Sequence, residues 1–141
     1  VYASDISLKA LEVAKENVTI NKVDVTFFEG DMLKPYIKNN IKLDVIVSNP
    51  PYIKKDEKIE DIVKNNEPHL ALYAKNNGLE FYDSILKNAS YVLKDKYLIA
   101  FEIGMDQGRN VEALAKKYLS NSIVEIEKDL SGKDRFIFVY N

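Results

Sequence analysis

Short apolar runs suited to strands alternate along this chain with segments whose apolar residues recur at helical spacing, and that alternation restricts the fold to few classes. Residues 1–3, 23–28, 43–47 and 97–103 form the first four runs, and 123–126 and 136–140 form the last two. Between them, Leu8, Leu11 and Ala14 mark one helical stripe, and Leu79, Tyr82, Ile85, Leu86 and Ala89 mark another. Residues 111–119 read as a further helix. The charged stretch 54–66 reads as a solvated loop or a loose helix with Ile59, Ile62 and Val63 on one face. Strands alternating with helices predict an α/β fold: a mostly parallel sheet covered on both faces. The run 43–47 is nearly continuous and apolar, so it is expected to be buried on both faces. The last two runs flank the turn-forming residues 129–134 and are expected to pair antiparallel.

With 141 residues, 46% of them hydrophobic, the chain is expected to form one domain with its own core. A net charge of −2 disfavours a broad phosphate-binding surface, so a protein or small-molecule substrate fits better than nucleic acid. There is no cysteine, and His69 is the single histidine. A disulfide framework, a thiolate site and a histidine-based metal cluster are therefore not expected, and no metal is assigned. No apolar run reaches the length of a membrane span, and no basic segment leads into an apolar one at the start. The expectation is a soluble, cytoplasmic protein without a membrane partner.

Ligands in sheets of this kind bind at the carboxyl ends of strands. Asp5, Asp31 and Asn49 follow the first three runs, one after each. An acidic residue there can hold a ribose diol through both carboxylate oxygens, and another can accept from an adenine amino group. Each aspartate taken singly is equally a helix cap or turn former, and Ser7 or Asp5 suits the start of the first helix. Asn49 opens the tetrapeptide Asn49-Pro50-Pro51-Tyr52. Two prolines fix their own φ and restrict the residue before them, which preorganises the Asn49 side chain. Its carboxamide oxygen can accept one N–H of a planar NH2 group, and the carbonyls of a turn lacking two N–H groups can accept another. Tyr52 is placed to stack on that flat group and to stabilise charge developing on its nitrogen.

Together these residues resemble the protein-(glutamine) methyltransferases that modify bacterial peptide-chain release factors, a branch of the class I S-adenosylmethionine-dependent methyltransferases. The resemblance spans nearly the whole chain. It rests on Asp5-Ile6-Ser7 with Ala10-Leu11, Ala14 and Asn17, on Gly30-Asp31, on Asn49-Pro50-Pro51-Tyr52-Ile53, and on Glu67-Pro68 with Ala71-Leu72 and Gly78-Leu79. Glu102-Ile103-Gly104, Gln107-Gly108, and Asp129 with Gly132, Asp134 and Arg135 also look like that pattern. The resemblance implies that Asp5 holds the cofactor ribose, Ile6 flanks the adenine, and Asp31 with the Met32 backbone reads the adenine edge. It implies that Asn49 and the Pro50 carbonyl hold a glutamine amide, flanked by Pro51 and Tyr52. Glu67 either touches substrate or braces the Asn49 loop. Asp134 and Arg135 are expected to orient the terminal hairpin, and the role of Glu102 stays open.

By the same resemblance, residues 1–141 are the carboxyl-terminal part of a methyltransferase catalytic domain with a partial Rossmann-like fold. Its first strand and the Gly-x-Gly turn after it are missing before Asp5, so the fragment is not expected to turn over alone. Sheet edges exposed by that gap are expected to pair, giving a homodimer. Two other readings stand beside this one. The Asn-Pro-Pro-Tyr turn is shared with DNA adenine and some RNA methyltransferases, which points to a nucleic-acid amine methyltransferase. A noncatalytic binding module that keeps the fold is the other.

Overall fold

A computed structural model describes residues 1–54, 73–74 and 78–141. The chain divides into two compact units, Val1–Lys42 and Leu43–Asn141. In the first, β1 (Tyr2–Asp5) and β2 (Thr26–Glu29) pair in parallel, with Tyr2 opposite Thr26 and Asp5 opposite Glu29. Helix α1 (Leu8–Asn21) joins them. The Ser7 hydroxyl accepts from the Ala10 N–H at 3.3 Å, and Asp5 Oδ1 accepts from the Ser7 N–H at 2.7 Å. Ser7 is thus the cap, and Asp5 fixes the turn ahead of it. Lys22 ends the helix in the left-handed region at φ +52°, its N–H reaching the Thr19 and Val18 carbonyls. The rings of Tyr2, Phe28 and Tyr36 meet at centroid distances of 5.7 to 6.4 Å. They pack beside α2 (Lys34–Lys38), which carries a proline in its first turn. A helix of five residues is too short for spacing to announce it, and the sequence reading passed over it.

The second unit contains β3 (Leu43–Ser48), β4 (Ile53–Lys54), β5 (Tyr73–Ala74), α3 (Glu80–Ala89), β6 (Leu93–Glu102), α4 (Gly108–Tyr118), β7 (Ile123–Lys128) and β8 (Asp134–Tyr140). Its main sheet has the order β3-β6-β8-β7. Strands β3 and β6 are parallel, whereas β8 runs antiparallel to both β6 and β7. The short strands β4 and β5 form a separate parallel pair. The expected antiparallel pairing of the last two strands is present. Period-two alternation assigns the faces. Ile46, Ile99, Phe101, Ile137 and Val139 are buried, as are Tyr82, Ile85, Leu86 and Ala89 of α3 and Val111 and Ala115 of α4. The Tyr82 ring meets Phe101 edge-on at 5.4 Å, and its hydroxyl donates to the Glu102 carbonyl at 2.8 Å.

The expectation that residues 43–47 are buried on both faces is wrong. Ile46 is buried, but Val45 is 50% and Val47 78% exposed. The cause is the face: α3 and α4 pack on the Ile46 side, and Val45 and Val47 point to the other. On the opposite side Val45, Val47, Ile123 and Phe136 are exposed, so among the described residues of this unit helices cover one face of the sheet. Strand β6 begins earlier than the apolar run predicted, because Lys94 stands outward and pairs with Asp44 of β3 at 2.9 Å. Of the stretch 54–66, read as a loop or loose helix, residues 55–66 lie outside the described residues. No helix among the described residues is long and apolar enough to cross a membrane.

Candidate active site

In the first unit, parallel pairing of β1 with β2 brings Asp5-Ile6 and Asp31-Met32 to one sheet end. The Gly30 N–H donates to the Asp5 carbonyl at 3.0 Å, which sets the turn that follows β2. Gly30 adopts φ +157°, and Met32 follows in the left-handed region at φ +46°. The Ser4 hydroxyl donates to the Met32 carbonyl at 3.0 Å and holds that turn against β1. Asp31 pairs with Lys34 at 2.7 Å, which orients its carboxylate. Ile6 is 68% exposed at the strand end. An apolar side chain in solvent between two carboxylates is an arrangement that fits a nucleoside: a flat surface for the base, with acceptors for hydroxyl and amino groups on either side. The two acidic positions were legible in the sequence, but the Ser4 tie was not, since a serine inside a strand carries no such signal.

In the second unit, β3 delivers Asn49, which is exposed, while Pro50 is buried beneath it. The sequence expectation was that the prolines restrict the backbone ahead of them and so preorganise the Asn49 side chain. Tyr52 is half-buried, and its hydroxyl lies 3.4 Å from Glu102 Oε1 and 3.4 Å from Arg135 Nη1. Burial, then the Glu102 carboxylate, push the Tyr52 hydroxyl above its ordinary pKa. At neutral pH it therefore remains a hydrogen-bond donor and is no base. Arg135 Nη1 also faces Glu102 Oε1 at 3.8 Å, and Arg135 Nε faces Asp129 Oδ2 at 3.5 Å. The Asp129 carboxyl is held below its ordinary pKa, first by the Lys133 N–H and further by the Ser131 N–H and Arg135. Lys128 and Asp134 approach to 3.6 Å across the base of the same turn. This is the orienting role expected of Asp134 and Arg135.

Gln107, which the sequence reading noted without assigning a task, is 2% exposed. Its Oε1 accepts from the Gly104 N–H at 2.9 Å, and its Nε2 donates to the Tyr52 carbonyl at 3.1 Å. A hollow of about 170 Å³ beside Asn49 is lined by Val47, Ala100, Phe136 and Phe138 among others. Its walls are mostly apolar, with Ser48, Asn49 and Glu102 among them. Glu67 lies outside the described residues, as do Pro68, Ala71 and Leu72.

The chain is 42% identical over 140 residues to a release factor glutamine methyltransferase of Bacillus cereus, covering 98% of this chain and 50% of that protein. It spans about half the length of the curated relatives it matches. A methyltransferase from Pyrococcus furiosus shares the fold at a TM-score of 0.67 and 19% identity, covering 99% of this chain and 61% of that one. A release-factor-specific protein-(glutamine-N5) methyltransferase from Alicyclobacillus acidocaldarius does so at 0.57 and 22%, covering 99% and 78%. Residues 1–72 match the model of the methyltransferase small domain, and the chain belongs to that family.

Proposed function

We propose that this chain is the portion of a protein-glutamine methyltransferase that carries the amide-holding turn, acting on the side-chain nitrogen of a glutamine in a peptide-chain release factor. The observation that carries the reading is Asn49, an exposed carboxamide set on buried Pro50 at the end of β3. S-adenosylmethionine supplies an electrophilic methyl group, and Asp5, Ile6, Asp31 and Met32 are the residues that would hold its nucleoside.

An amide nitrogen is a poor nucleophile because its lone pair is delocalised into the carbonyl. The task of the chain's own residues is therefore alignment. The Asn49 oxygen would accept one N–H of the substrate amide and the Pro50 carbonyl the other, which would fix the plane of the amide and leave the nitrogen's remaining lobe free to react. These two acceptors gain strength as positive charge develops on nitrogen, so they favour the transition state over the ground state. With the cofactor bound, transfer would form the nitrogen–carbon bond as the sulfonium gave up its methyl group, and the proton lost from nitrogen would leave to water. Tyr52, kept protonated, adds its ring face to the cationic nitrogen. The setting we propose for this reaction is the cytoplasm.

The test is a calorimetric titration of S-adenosylmethionine into this chain and into the chain fused behind the amino-terminal half of the Bacillus cereus relative. It is accompanied by transfer of labelled methyl to purified release factor. Binding by the fused form, with label on a glutamine side chain, is expected. Binding by neither form sinks the proposal in favour of a noncatalytic module.

We further propose that the 141-residue chain self-associates through β3, whose outer edge pairs with no strand among the described residues and whose Val45 and Val47 are exposed. Sedimentation is expected to give a dimer at tens of micromolar, by the usual range for modest interfaces. A monomer at every concentration rejects it.

A further inference from the structure

We infer that Gln107 is a positioning residue for methyl transfer, holding the Asn-Pro-Pro-Tyr turn by its backbone. The inference rests on the reading of Asn49 given above. Pro50 and Pro51 have no N–H, so the turn lacks two of the donors with which a loop ordinarily ties itself down. The Tyr52 carbonyl at its far end takes its hydrogen bond from the Gln107 Nε2 at 3.1 Å. The other end of the same amide accepts from the Gly104 N–H at 2.9 Å, so it is fixed from the loop between β6 and α4. One buried side chain thus spans two segments 55 residues apart and uses both halves of its amide.

Gly78 supports the assignment independently. A Cβ there would overlap both the Tyr52 carbonyl oxygen and the Gln107 Nε2, so the chain keeps a glycine where this hydrogen bond needs room. The second anchor of the turn, the Tyr52 hydroxyl between Glu102 and Arg135, is longer at 3.4 Å to each. The shorter Gln107 bond is therefore the tighter constraint on the backbone that presents the Pro50 carbonyl. Glutamine fits because its amide accepts at one end and donates at the other. Asparagine is too short, and glutamate accepts only.

Two substitutions separate the roles. Gln107→Glu keeps the acceptor for Gly104 and loses the donor to Tyr52; Gln107→Met keeps the volume and loses both. The carbonyl carbon shift of Tyr52, read by nuclear magnetic resonance on this chain, reports the hydrogen bond whether or not any methyl is transferred. Steady-state transfer to release factor is then measured in the fused form. Both variants are expected to move the Tyr52 shift. Both are also expected to lower kcat by about 10-fold or more, as misalignment by a fraction of an ångström does. Affinity for S-adenosylmethionine should stay within about twofold, since nothing assigned to the nucleoside is altered. Retained protection of the Gly104 amide in Gln107→Glu alone would show that this variant is still folded around the loop. An unmoved Tyr52 shift, or an unchanged kcat in both variants, overturns the inference. A wild-type fused form that transfers nothing, beside a shift that does move, condemns the functional reading and leaves the hydrogen bond standing.

Discussion

Asn49→Ala in the fused, active form is expected to lower kcat for methyl transfer by about 100- to 1,000-fold, the usual effect of removing one preorganised polar group from a site where charge develops. The side chain is exposed, so unfolding by urea should shift by less than about 0.5 kcal/mol, as for most surface changes. That contrast separates a loss of chemistry from a loss of fold. Asn49→Asp retains an acceptor in place of the carboxamide oxygen, and it should fall between the wild type and the alanine variant. An alanine variant within threefold of wild-type kcat would remove Asn49 from the site.

The second large effect is expected at Gly78. Its φ of +83° is a conformation that side-chain-bearing residues rarely adopt, and the space beside it is filled by the Tyr52 carbonyl and the Gln107 amide. Gly78→Ala therefore carries backbone strain and steric overlap together, and should destabilise the chain by roughly 2–4 kcal/mol. Gly132 is the internal control. It sits at φ +77° with nothing within 4 Å of the Cβ position, so Gly132→Ala carries the strain without the overlap. The urea midpoint should fall for both and further for Gly78→Ala. Equal shifts would mean that the contact with Tyr52 and Gln107 is not tight.

What could be read from the sequence was what repeats or what is rigid. The helical stripe Tyr82, Ile85, Leu86 and Ala89 is buried as its spacing predicted, because a helix against a sheet must turn one face inward. The restriction that Pro50 puts on Asn49 could be read too, since it is local and steric. The misreading of β3 has an equally physical origin. Val45, Ile46 and Val47 are chemically alike, and only the side on which the helices pack decides which of them is buried. Which face a helix covers depends on elements distant in sequence. Gln107 and Ser4 escaped assignment because each acts through a backbone carbonyl far away in sequence, and a carbonyl leaves no trace in residue type.

The order β3-β6-β8-β7 also bears on how the second unit forms during synthesis. Strand β7 leaves the ribosome before β8, yet β8 lies between it and β6 and bonds to both. Until residues 134–140 are available, β7 has no neighbour in the sheet and β6 shows a bare edge where Ile137 and Val139 will be enclosed. A nascent chain halted just before Asp134 would thus hold its helices over an unfinished layer, exposed to chaperones or to another chain. Completion of the core is a late event, tied to the arrival of a single strand.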